Sequence, residues 1–131
     1  MSHQASLTDI QQNYLGKVIG DGQCVAFVRK AASIGATPHW KRGAKIVGDR
    51  SIPAGTAIAT FDPSGLYGNH TDGRAHAAIY VSQSLAGIVV YDQWLGQPPH
   101  PPVPVHERVI RFLNGGPGNP VNDGDQFYVI D

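Results

Sequence analysis

The apolar positions change their period partway along the chain, from helical spacing near the start to strand-like runs after residue 55. Ser6 followed three residues later by Asp9 has the form of a capping box, and Gly16 offers a stop, so Leu7 to Leu15 is predicted as a short helix. From Gln23 to Ile34, the residues Val25, Phe27, Val28, Ala31, Ala32 and Ile34 cover more than half of a helical wheel, with Gly35 placed to end it in a left-handed cap. A helix apolar over that much of its circumference is mostly buried. After the turn signal Ile52-Pro53-Ala54-Gly55, Thr56 to Phe61 reads as a strand and Asp62-Pro63-Ser64-Gly65 turns the chain. Ala75 to Val81 and Ile88 to Trp94 are β-branched and aromatic runs joined by Ser82 to Gly87, which makes them a hairpin. Val105 to Phe112 and Gln126 to Ile130 complete a five-stranded antiparallel sheet. Helices first and strands after is the α+β order of elements.

Two stretches interrupt this pattern. Gln97 to Pro104 carries five prolines in eight residues, which removes ladder donors and favours an extended polyproline surface loop. Asn114 to Gly124 is rich in turn-forming residues. Each reads either as a connection between strands or as a binding lip.

At 131 residues the chain has room for one core, so residues 1–131 are expected to form a single domain. Ten Lys plus Arg balance ten Asp plus Glu and no basic block is visible, which argues against nucleic acid or an anionic membrane as partner. No run approaches the length of a membrane span, so no membrane insertion is expected. The opening MSHQASLTDI has neither a basic region nor an apolar run, so no secretory signal is expected there.

The single cysteine, Cys24, excludes an internal disulfide and a thiolate zinc cluster. It lies just beyond the Gly20-Asp21-Gly22-Gln23 turn, at the first turn of the buried helix. Free amide N–H groups and the helix dipole there favour a thiolate, and the same amides can donate to an oxyanion. An inert buried thiol is the other reading.

A cysteine nucleophile needs a base. His76 lies in the first strand of the hairpin, and if Val81 faces Ile88 then His76 faces Gln93 and lies beside Asp92. A shift of one residue puts it opposite Asp92. Either register offers the imidazole an acceptor to orient it, the third element of a Cys-His-acid arrangement. Asp92 is preferred to Gln93, because Ile88, Val90 and Asp92 alternate onto one face and a carboxylate stabilises an imidazolium. Gln23 either donates a side-chain N–H to the oxyanion or caps the turn. His39, His100 and His106 fall in loops or at a strand edge, outside the motif.

Gly22-Gln23-Cys24-Val25-Ala26-Phe27-Val28, then Ala75-His76-Ala77-Ala78-Ile79-Tyr80, then Val90-Tyr91-Asp92-Gln93-Trp94 resemble the CHAP branch of the papain-like peptidoglycan amidases. That pattern is a Gln-Cys at a helix start, a Gly-His-Val-Ala-Ile-like strand, and an acidic or amide residue beside a tryptophan. The whole chain, Pro53 to Phe61 included, looks most like the small amidase effectors of bacterial type VI secretion systems. Ala75 stands where a glycine is common, and Asp92 where Glu or Asn is common, which keeps Asp92 and Gln93 both open as the third residue.

The resemblance implies a papain-like fold and a cysteine amidase acting on peptide stems of peptidoglycan, first of all the D-alanine to diaminopimelate cross-link. Cys24 would be the nucleophile, His76 the base, and Gln23 and Trp94 would line the substrate site. No cofactor or metal is implied. The implied partners are the type VI machinery and a cognate periplasmic immunity protein. The protein would be made in the cytoplasm and injected into a target cell's periplasm without a signal peptide.

Two rivals remain. His70, Asp72 and His76 are a sufficient set of ligand types for a zinc hydrolase. A non-catalytic wall-binding or partner-binding module would instead use Trp40, Tyr67 and Trp94 as an aromatic platform, with the proline-rich loop as its rim.

Overall fold

A computed structural model describes residues 2–96 and 99–131. Two helices, α1 (Leu7–Asn13) and α2 (Cys24–Ala32), precede a six-stranded antiparallel sheet. Its strands are β1 (Arg42–Lys45), β2 (Ala57–Thr60), β3 (Ala77–Gln83), β4 (Gly87–Trp94), β5 (Val103–Arg111) and β6 (Phe127–Ile130), in the spatial order β1-β6-β2-β3-β4-β5. The architecture is α+β. No helix among the described residues is long and apolar enough to cross a membrane.

The helices start and stop for local reasons. Ser6 caps α1 by accepting from the Asp9 N–H. The end of α2 comes earlier than its apolar pattern suggests. Ser33, not Gly35, takes the left-handed conformation, and the Ile34 N–H closes back onto the Arg29 carbonyl. This is a Schellman ending, in which Ile34 is the buried hydrophobe just past the helix and not its last turn.

The sheet is buried on both faces. Phe27, Val28 and Ile10 of the helices cover Ala57, Ala77, Ile79 and Tyr91, while Ile58, Ala78, Tyr80, Ile88, Val90 and Phe127 pack on the opposite side. Central β2 is therefore buried at every position and shows no polar alternation.

Four sequence expectations need correction. The sheet has six strands, not five: β1 reads Arg-Gly-Ala-Lys and carries no apolar signal, being held at the edge by pairing with β6 through an irregular register. The hairpin register is neither of the two considered. Gln83, not Val81, faces Ile88, and a bulge between Tyr80 and Ser82 shifts the pairing so that Ile79 faces Tyr91. His76 falls just before β3 instead of inside it. Of the proline-rich stretch, Gln97 and Pro98 lie outside the described residues, while Val103 and Pro104 belong to β5. Proline is tolerated there because β5 is the edge strand and its pairing is irregular between Asp92 and Trp94.

Candidate active site

The turn before α2 bends through Gly20 and Gly22, both at positive φ, so that Cys24 becomes the first helical residue. A side chain on Gly22 would be strained by that backbone and would press on Val18 and Leu95. The thiol is half-buried beneath the helix N-terminus. His76 is brought to it from the opposite direction. Its N–H donates to Thr60 Oγ1 at 3.0 Å and its carbonyl accepts from the Thr60 N–H at 3.0 Å, which locks the residue to the end of β2.

The imidazole lies edge-on to Trp94 and Phe127, and its Nε2–H donates to Asp92 Oδ2 at 2.7 Å. With Nε2 committed to Asp92, Nδ1 is the nitrogen left for its hydrogen bond with Cys24. Thus Cys24, His76 and Asp92 come together from α2, from the residue before β3 and from β4.

The titration behaviour follows from this packing. Burial pushes the Cys24 thiol up. The hydrogen bond and charge of His76, the Ala77 N–H and the Tyr67 hydroxyl outweigh burial and hold it below its ordinary value of 9.0. Burial likewise opposes charge on His76, but its bonds to Asp92 and Cys24 raise it from 6.5 to about 9. Asp92 is kept below the usual carboxylate range, since His76 and Arg108 overcome its desolvation. The two shifts, one down and one up, both favour a thiolate beside an imidazolium.

Tyr67 and Arg108 were not assigned to this chemistry by the sequence. Tyr67 was read as part of a binding platform. It is instead buried with Trp40, their rings 5.0 Å apart, and its hydroxyl sits 3.7 Å from Cys24 Sγ. Burial, with the neighbouring thiolate, raises its pKa, so it remains a donor to the sulfur. Arg108 Nε donates to Asp92 Oδ2 at 2.7 Å. His106, placed outside the motif by the sequence, faces Asp92 across the β4–β5 ladder. The signal for both residues is the pairing of β5 with β4, which the chain alone does not display.

Gln93 points the other way. It is fully buried, accepts from the Ile19 N–H at 2.8 Å, and donates Nε2–H to the carbonyls of Ile19 at 2.9 Å and Gln23 at 2.8 Å. It braces the turn that presents Cys24 and does not touch His76. Gln93→Ala leaves the buried Ile19 N–H without its partner and takes one donor each from the Ile19 and Gln23 carbonyls, which keep the Gly22 and Ala26 N–H groups, and should cost about 2 kcal/mol. Thermal unfolding should show a fall in Tm on the order of 10 °C, and an unchanged Tm would remove Gln93 from this bracing role.

A cleft of about 500 Å³ opens over Cys24 and His76, with Gln23, Trp94 and Arg108 among its walls. Gln23 is exposed there and makes no cap to the helix, so its amide is free to face a ligand. Val121 and Asn122 form part of the rim, which makes the Asn114 to Gly124 stretch both a connection and a lip. The three residues of the zinc alternative have separate partners: His70 is bound to Asp62 at 3.0 Å, exposed Asp72 to Arg74 at 2.8 Å, and His76 to Asp92. Among the described residues no cluster of three such side chains could hold a metal. The aromatic platform of the binding-module alternative is also dispersed, because Trp40 and Tyr67 are buried and only Trp94 lines the cleft.

Residues 1–130 match the family model described as domesticated amidase effector 2. The chain is 39% identical over 100 residues to a type VI secretion amidase effector 2 protein of Salmonella typhi, covering 76% of this chain and 72% of that one. It is 40% identical over 114 residues to domesticated amidase effector 2 of Ixodes scapularis, covering 83% of this chain and 70% of that one. A solved structure of type 6 secretion amidase effector 2 superposes with a TM-score of 0.77 at 29% identity, covering 97% of this chain and 93% of that chain.

Proposed function

The chain belongs to the domesticated amidase effector 2 family, an amidase effector family, and on that premise we propose that it is a cysteine amidase that hydrolyses peptide amide bonds of bacterial peptidoglycan. The observation that carries the reading is the convergence of Cys24, His76 and Asp92 at the floor of one cleft.

The Cys24 thiolate attacks the carbonyl carbon of the amide, and the carbonyl oxygen takes up the negative charge. The amide N–H groups at the start of α2 and the Gln23 side chain supply donors for it. Collapse breaks the C–N bond as the His76 imidazolium gives its Nδ1 proton to the leaving amine, leaving a thioester on Cys24. His76, now neutral, takes a proton from water, and the resulting hydroxide attacks the thioester to release a carboxylic acid and restore the thiolate. Asp92 holds the ring by Nε2 throughout.

Peptide stems are the substrate class, with the D-alanine to diaminopimelate cross-link the first candidate bond. As in the Salmonella typhi relative's name, type VI secretion is the delivery route proposed, with action in the target periplasm and restraint by an immunity protein in the producer. Mass analysis of muropeptides after incubation of sacculi with the protein tests the reaction and the bond together. Loss of cross-linked dimers with gain of monomers is expected, and an unchanged muropeptide profile would sink the proposal.

The ion pair also sets a pH window. Activity should fall at the acid end as the thiolate takes up a proton, and at the alkaline end as His76 loses its proton near pH 9. Iodoacetamide should modify Cys24 at pH values where an ordinary thiol, with its value of 9.0, is still largely protonated. A labelling rate that rises only near pH 9 would contradict the ion pair.

A further inference from the structure

Two cationic donors converge on one oxygen of Asp92. His76 Nε2 and Arg108 Nε each donate to Oδ2 at 2.7 Å. The other oxygen, Oδ1, is buried and has no hydrogen-bond partner among the described residues. His106 Nε2 is 3.7 Å from it, too far to bond. We propose that Arg108 is a positioning residue that shares Asp92 Oδ2 with His76 and so limits how tightly that carboxylate holds the imidazole proton.

The placement of Arg108 is built into the fold. In the β4–β5 ladder Asp92 faces His106 and Val90 faces Arg108, so Arg108 reaches Asp92 along the diagonal on one face of the sheet. Its guanidinium carbon lies 4.9 Å from the centre of the Trp94 ring, and stacking of this kind fixes the plane of the fork.

The chemistry explains why such a restraint is useful. A histidine bound to a buried carboxylate with no other partner would retain its proton too strongly to pass it to a leaving amine, or to take one from water and return it. A general acid–base works best when its pKa is close to the working pH. His76 already stands at about 9 with Arg108 in place. A permanent cation on the shared oxygen withdraws part of the charge that stabilises the imidazolium.

The titratable and charged groups around His76 and Asp92 are Cys24 from α2, Tyr67 from the loop before β3, and His106 and Arg108 from β5. Of these, Arg108 alone carries a fixed positive charge.

NMR titration of the His76 ring in a Cys24→Ala background isolates the effect from the thiolate. Adding Arg108→Gln should raise the pH at which His76 titrates by about one unit. Arg108→Lys, which keeps the charge but loses the planar fork, should bring most of that shift back and leave about 0.3 unit. In chains with Cys24 intact, acting on a purified cross-linked muropeptide dimer, Arg108→Gln should lower kcat about tenfold with KM unchanged.

An unmoved His76 titration in Arg108→Gln overturns the proposal. A raised KM at unchanged kcat would make Arg108 a substrate contact and overturns it too. If Arg108→Gln does not fold, Arg108→Met, which keeps an apolar stem against Trp94 and removes the charge, decides, since an unmoved His76 titration there overturns the proposal as well. The kinetic arm rests on the amidase reading, whereas the NMR arm needs no substrate, so failure of one is distinguishable from failure of the other.

Discussion

Cys24→Ala should abolish hydrolysis of sacculi, lowering the rate by about four orders of magnitude or more, while the protein still folds. The thiol is only half-buried and lies at a helix start facing a cleft, so its sulfur fills little of the core. Removing it leaves the α2 capping arrangement and the His76–Asp92 bond in place, because neither depends on the sulfur. The measurement is release of soluble muropeptides, with circular dichroism as the control for folding. If the folded variant still digests sacculi at more than a trace rate, the cysteine is not the nucleophile.

His76→Ala should be nearly as damaging, by about three to four orders of magnitude, and the Cys24→Ala/His76→Ala double variant should be no worse than the single ones. In the proposed mechanism the histidine keeps the sulfur ionised and carries the proton, so once the sulfur is absent there is nothing further for the ring to do. Losses that add across the two sites would separate the residues into independent roles. The folding control is more important here than for the cysteine. His76 is buried between Trp94 and Phe127, so its removal leaves a cavity and an unshared Asp92 carboxylate. His76→Gln, of closer volume and able to donate to Asp92, keeps the packing and should be just as inactive.

Much of the layout was legible along the chain because it depends on local rules. The cap at Ser6, the apolar wheel of α2 and the β-branched runs of the hairpin each report their structure within a short window. The position of Cys24 at a helix start is equally local, since the glycines before it and the periodicity after it identify the turn. His76 and Asp92 stand out as the polar residues at the ends of two apolar runs.

Where the site departs from that reading, contacts between distant strands decided it. The bulge between Tyr80 and Ser82 set the hairpin register, and edge pairing created β1 from four residues with no apolar pattern. Asp92 and Gln93 are neighbours in sequence with opposite directions in the sheet: one reaches His76, and the other reaches the Ile19 and Gln23 backbone on the far side of the same strand. Tyr67 reaches the sulfur, and Arg108 and His106 come beside Asp92, only because a long loop and the edge strand close around the cleft. Sequence alone determined which residue types could do the chemistry and on which elements they stand, because backbone propensity and periodicity act over a few residues. Tertiary structure alone decided which of them share a hydrogen bond, because one shift in strand register moves every side chain to the other face.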